Sequence, residues 1–154
     1  MSLLPPGLLL FDSGVYIRFS RRERYLWLGE DIRVFQRTIL SAVVAAELYA
    51  GTRDPREKRA LDRLCQAHFA LGHFSYPPAS AWMETGSLLR RARRSFGQMD
   101  FAHHFRDLLI ALEASRAGAT LVTENMGDFK RWKRLFVSAR KTLKLFNPLF
   151  SNVG

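Results

Sequence analysis

The chain has 154 residues, 47% of them hydrophobic and 25% charged, the proportions of one ordinary globular domain, which excludes a disordered or fibrous class for most of it. Its longest apolar runs, at 8–11 and 42–46, fall far short of the ~18 residues a membrane helix needs. No signal peptide is legible before Asp12, and the single cysteine, Cys65, has no internal partner, so a cytoplasmic protein is expected.

Residues 8–11, Leu-Leu-Leu-Phe, follow Pro5, Pro6 and Gly7 and predict a short strand buried on both faces that ends at Asp12. Residues 38–41 predict a second strand and 42–50 a helix stopped by Gly51. Pro55 opens a helix in which Leu61, Leu64, Cys65, His68 and Phe69 recur at helical spacing, with Arg56, Lys58, Arg59 and Arg63 mostly on the other side. A short strand is expected within 71–75. Pro77-Pro78 then starts a helix ended by Gly97, with Trp82, Gly86, Leu89, Ala92 and Phe96 as its apolar stripe and Trp82 in the core. A helix over 107–117 closed by Gly118, a strand over 119–123, a short helix over 128–135 and a strand over 142–146 complete the series. Strands alternating with helices predict a single three-layer α/β domain, a mainly parallel sheet flanked by helices. It is expected to span 8–148, between an N-terminal extension (1–7, of which 1–3 read as vector-derived) and a C-terminal tail (149–154).

Charge is the first functional clue. Lys and Arg number 24 against 14 Asp and Glu, a net +10, and they come in bursts at 18–24, 53–63, 90–94 and 130–144. Such a surface draws polyanions, and guanidinium forks suit phosphate oxygens. The few carboxylates in apolar surroundings are therefore informative. Asp12 ends the first strand, Glu47 is the only charged side chain in its helix, Asp107 precedes the apolar run 108–112, and Asp128 follows the strand at 119–123. Taken singly, Asp12 or Ser13 is explained as a helix cap, Asp107 as a first-turn residue and Asp128 as a cap. Glu47 resists such an explanation, because a carboxylate in so apolar a helix needs a partner or a cavity. Jointly, acidic residues recur where parallel strands end, which is where open α/β sheets bind ligands. Four converging carboxylates repel and take up protons unless neutralised, and hard oxygen donors suit Mg²⁺ or Mn²⁺.

Four segments carry a resemblance: Phe11-Asp12-Ser13 after the strand, Ser41 to Gly51 around Glu47, Asp107-Leu-Leu-Ile-Ala-Leu-Glu-Ala114, and Thr123-Glu-Asn125-Met-Gly-Asp128-Phe129. In order and spacing they resemble the motif blocks of PIN-domain ribonucleases, and among these the VapC-type toxins, over about 8–148. The resemblance implies a metal-dependent endoribonuclease with Asp12, Glu47, Asp107 and Asp128 as its catalytic acids. The first three of these would hold Mg²⁺ or Mn²⁺, with Ser13, Thr123 and Asn125 in support. It also implies an RNA substrate, a homodimer, and a cognate antitoxin whose C-terminal segment covers the active-site groove. The chain departs from the family at Gly14, where Asn is common, and some relatives carry the fourth acid where Asn125 stands.

Arg106, Lys130, Arg131, Lys133 and Arg134 are candidates for contacts to flanking phosphates. His103 and His104 are set aside as surface or interface residues, since nothing else stands at zinc spacing. Trp132 divides evenly between base stacking and core. No phosphate-cradling glycine loop is present, so a nucleotide cofactor is not expected, and Ser13 and Ser41 lack a partnered His at motif spacing. The alternative to a nuclease is a non-catalytic basic nucleic-acid-binding α/β module, which explains the charge and leaves Glu47 unexplained. A phosphoacceptor receiver domain would want an adjacent acidic pair where Asp12-Ser13 stands.

Overall fold

The computed structural model describes residues 4–98 and 100–151, so the stretch read as vector-derived, 1–3, lies outside the described residues. The first half of the chain runs β1 (Leu9–Phe11), α1 (Ser13–Ser20), a 3-10 turn (Leu26–Gly29), α2 (Ile32–Gln36), β2 (Thr38–Ser41), α3 (Ala42–Ala50) and α4 (Pro55–Ala70). The second half runs β3 (Phe74–Ser75), α5 (Ala79–Phe96), α6 (Phe101–Ala117), β4 (Thr120–Val122), α7 (Met126–Ser138), β5 (Lys144–Phe146) and a 3-10 turn (Pro148–Ser151).

All strand pairs are parallel and the order is β3-β2-β1-β4-β5, a PIN-like three-layer α/β arrangement. β1 lies at the centre, and its Leu9, Leu10 and Phe11 are at most 1% exposed. That burial on both faces explains why the strand reads as a continuous apolar run. Strand order reverses between β1 and β4, which opens a crevice beyond their carboxyl ends. The N-terminal extension is tied in at Leu4, which is buried, and at Pro5 and Gly7, whose carbonyls accept hydrogen bonds from Arg37.

α6 is the central helix. Residues 108–112 are all buried to within 1% of full occlusion, each of the leucines contributing about 1.5–3 kcal/mol by its removal from water. The helix opens at Phe101 rather than at 107, because Asp100 accepts hydrogen bonds from the Ala102 and His103 amides (3.0 and 3.4 Å). Gly118 closes it at φ +66°, the left-handed conformation that glycine adopts without strain. Asp107 is thus an interior residue of α6 and not a first-turn residue.

Other expectations need correction. Trp82 is 48% exposed and is not a core residue. The buried stripe of α5 is Ala81, Thr85, Leu88, Leu89 and Ala92. Small residues at 81, 85 and 92 bring the backbones of α5 and α6 close, and Trp82 is left to lie outside against Phe105 (5.3 Å between ring centroids). Trp132 is fully buried, with Phe96 and His104 against its ring, so it is a core residue. α1 and α2 form in a stretch where no element was expected. Val15, Tyr16 and Val34 are their buried anchors, too few to show a period in the sequence.

Candidate active site

The crevice beside β1 is built from the motif carboxylates. Asp12 follows β1 and caps α1: its Oδ1 accepts from the Ser13 amide (2.8 Å) and its Oδ2 from the Thr123 hydroxyl (3.0 Å). Thr123 in turn accepts from the Asn125 amide (3.0 Å), so the loop after β4 locks the rotamer of the acid that ends β1. The capping role and a site role therefore coexist in Asp12. Glu47 projects from α3, which is aimed by Ser41 at its N-cap (Val43 amide, 3.1 Å). Asp107 projects from the middle of α6 with 4% exposure.

These acids meet at one cation, Arg106, which the sequence offers only as a candidate contact to flanking phosphates. The Arg106 guanidinium donates to Asp12 Oδ1 (2.6 Å), Asp107 Oδ1 (2.6 Å) and Ser13 Oγ (2.9 Å), and its Nε forms an ion pair with Glu47. Arg106 is therefore a member of the cluster. The cluster is one cation against three carboxylates, which leaves two negative charges uncompensated. Burial pushes the Asp107 carboxyl above its ordinary range and the nearby Asp12 and Asp128 carboxylates add to that rise, while Arg106 and His103 partly offset it.

Asp128 stands at the edge of this group, in the first turn of α7. Its carboxylate accepts from Arg131 and from Asn125 Nδ2 (3.2 Å). Burial alone would raise it, but those hydrogen bonds outweigh burial and hold it below the usual carboxylate value. Lys130, Lys133 and Arg134 lie on the exposed side of α7, opposite buried Phe129, Trp132, Leu135 and Phe136. Arg131 differs from them, being held by Asp128 and lying over the Trp132 ring at 5.5 Å.

Two carboxylates not singled out from the sequence also have marked surroundings. Glu113 is 6% exposed and accepts hydrogen bonds from the Ser41 and Ser75 hydroxyls, and burial raises its carboxyl above the ordinary value. Glu124, after β4, pairs with Arg18 (2.8 Å) and Arg24 (3.6 Å) and accepts from Tyr25. Their sequence signal was weak, because Glu113 sits within an α6 motif and Glu124 beside Asn125.

Away from the motif carboxylates, a groove of about 770 Å³ runs between α1, α2 and α4. Ile17, Phe19, Phe35 and Leu64 line it, and Arg21, Arg22, Arg53 and Arg56 stand among its lining residues beside Asp54 and Glu57, the latter paired with Arg53.

No protein-family model matches the sequence, and no curated protein matches it significantly. Solved structures do match. VapBC2 from Rickettsia felis bound to a DNA fragment from their promoter is 19% identical over 91% of this chain and 98% of that chain, with a TM-score of 0.61. FitAcB from Neisseria gonorrhoeae is 22% identical over 92% and 99%, with a TM-score of 0.63. DNA-bound VapBC from Salmonella typhimurium is 16% identical over 92% and 98%, with a TM-score of 0.64. At such identities the likeness is one of fold, and it extends over almost the whole chain: the PIN-like fold read from the four motif segments is the fold of these VapBC and FitAB proteins.

Proposed function

We propose that the chain is a metal-dependent endoribonuclease that hydrolyses RNA phosphodiester bonds and acts as the toxin of a toxin-antitoxin pair. One observation carries the reading: Asp12, Glu47 and Asp107, from three different elements, converge at the switch point of the sheet with fewer positive than negative charges among them. A fold stabilised by caps alone has no need of that arrangement, since taking uncompensated charge out of water is costly.

The donor set fits a hard divalent ion. Three carboxylates supply oxygen ligands, and the charge that Arg106 leaves uncompensated equals that of one Mg²⁺ or Mn²⁺. Bound there by Asp12, Glu47 and Asp107, such an ion would lower the pKa of a water molecule and offset charge on the scissile phosphate. The remaining work falls to the chain itself. Ser13 and Thr123 hold Asp12 in one rotamer. Glu47, whose side chain is 32% exposed, marks the side open to a polymer. Arg106, once released from the carboxylates, is a fork for a phosphate beside the scissile bond. Lys130, Lys133 and Arg134, on the exposed side of α7, would hold flanking phosphates, and Asp128 with Asn125 would support the site from its edge.

A cognate antitoxin and a second copy of the chain are proposed as partners. The groove between α1, α2 and α4 is largely apolar, and its four arginines outnumber Asp54 and Glu57, which suits an apolar partner segment flanked by acidic residues. The exposed aromatic side chains of Trp82 and Phe101 suit self-association. Among the described residues no helix is long and apolar enough to cross a membrane.

The test is to incubate purified protein with an RNA panel in Mg²⁺, in Mn²⁺ and in chelator. Cleavage only with metal is expected. Undiminished cleavage in chelator refutes the metal-dependent reading, and salt-sensitive RNA binding without cleavage in any arm would favour the non-catalytic module.

A further inference from the structure

His103 and His104, set aside in the sequence, are brought together with Asp128 by the packing of α6 against α7. One ligand atom from each of the three residues lies within 4.8 Å of the others. Zinc-type ions held at 2.0–2.2 Å from nitrogen and oxygen need donors about 3–4 Å apart, so side-chain adjustments of under about 1 Å close the gap. The two imidazoles meet edge to face at 4.7 Å between ring centroids, and His104 rests edge-on against Trp132 at 5.2 Å. A second observation concerns His104 itself. Its Nδ1 is buried and has no hydrogen-bond partner among the described residues, an arrangement that costs free energy unless the site is completed by something else.

We propose that His103, His104 and Asp128 form a binding site for a divalent transition-metal ion of the zinc type, separate from the hard-oxygen cluster around Asp107. Two imidazoles and one carboxylate suit Zn²⁺, Co²⁺ or Ni²⁺ and discriminate against Mg²⁺, which prefers oxygen and retains its water. With three protein ligands and His103 exposed, the fourth position opens to solvent, as in exchangeable sites rather than closed structural ones. Asp128 has oxygen lone pairs to spare beside its bonds to Arg131 and Asn125. The helix N-terminus disfavours a cation, and the Asp100 carboxylate that caps α6 offsets this. An ion held there lies one helical turn from Asp107 and occupies Asp128, so it is placed to modulate the neighbouring cluster. The site stands on this geometry alone, whatever the chemistry of that cluster.

The test is a visible-absorption titration of the full chain with Co²⁺, whose d–d bands report its ligands, followed by displacement with Zn²⁺. One equivalent is expected to bind, to be displaced by Zn²⁺ and to persist in millimolar Mg²⁺. His103→Ala, His104→Ala and Asp128→Asn should each weaken binding by at least ~10–100-fold, the loss typical of a mere outer-shell partner. His73→Ala should change nothing, and Arg131→Ala should tighten binding by freeing Asp128. Circular dichroism checks each fold, and the exposed position of His103 keeps that variant decisive even if His104→Ala is destabilised. Absence of binding, displacement by millimolar Mg²⁺, or one-equivalent binding that survives His103→Ala overturns the proposal.

Discussion

Replacing Arg106 by alanine removes the guanidinium that Asp12, Glu47 and Asp107 share. Breaking a buried ion pair from one side costs about 3–5 kcal/mol, because the partners remain buried and unpaired. Here the Arg106 and Glu47 side chains are 27% and 32% exposed, so the lower bound applies, about 3 kcal/mol. For a chain of this length that lowers Tm by roughly 6–12 °C. The loss should appear in chelator and shrink when metal is added. In the parent protein an incoming ion must first break the Arg106 pairs, whereas in the variant it meets three free carboxylates. Mg²⁺ affinity should therefore rise by at least ~10-fold, equivalent to about 1.4 kcal/mol. The assay is thermal unfolding in chelator and across a Mg²⁺ series, with the Tm rise fitted to ligand binding by the folded state. An unchanged Tm in chelator together with an equal Mg²⁺ response would refute the idea that Arg106 neutralises this cluster.

Asp12→Asn, Glu47→Gln and Asp107→Asn should each reduce metal-dependent RNA cleavage by orders of magnitude with the fold intact, and Asp128→Asn should do less; cleavage assays with circular dichroism controls decide, and full activity in all three would sink the assignment. Because burial raises the Glu113 carboxyl above the ordinary glutamate range, its contribution to stability is complete at acidic pH and is lost as pH rises through the folded-state pKa. Glu113→Gln should therefore flatten the decline of stability with rising pH and leave the protein more stable than the parent at pH 8, measured by urea unfolding across pH. RNA affinity should fall with salt on a log-log slope of roughly −0.7 per phosphate contact for single strands. Lys130→Ala with Lys133→Ala should flatten that slope by about one unit per lost contact, and Arg56→Ala with Arg59→Ala should do little; equal effects would mean a diffuse field rather than a path along α7.

The strands were legible because burial on both faces leaves an unmistakable mark, as in 8–11, and parallel pairing follows from their alternation with helices. The carboxylates were legible for a related reason: Asp12 and Glu47 interrupt apolar runs, where a charge needs a purpose. Arg106 was not legible as a cluster member, since in a chain with so many arginines one guanidinium looks like another until α6 is docked on the sheet. Trp82 misled through its size. The face of α5 that meets α6 is chosen by small residues such as Ala81 and Ala92, which carry little hydrophobic weight in a sequence. His103 and His104 acquire Asp128 as a neighbour only through tertiary packing, so no local spacing announces them.

The central position of β1 also constrains how the molecule is assembled. Asp12 is bonded to Arg106 across 94 residues and to Thr123 across 111, and β1 obtains its second neighbour only when β4 arrives. Contacts of such long range carry a loop-closure cost before they repay it, which slows folding. During synthesis the first strand therefore waits, half-paired and apolar, until most of the chain has left the ribosome. The acidic cluster is among the last features to form, so a nascent or truncated chain ending before Thr123 carries the first three motif acids without the hydroxyl that fixes the geometry of Asp12.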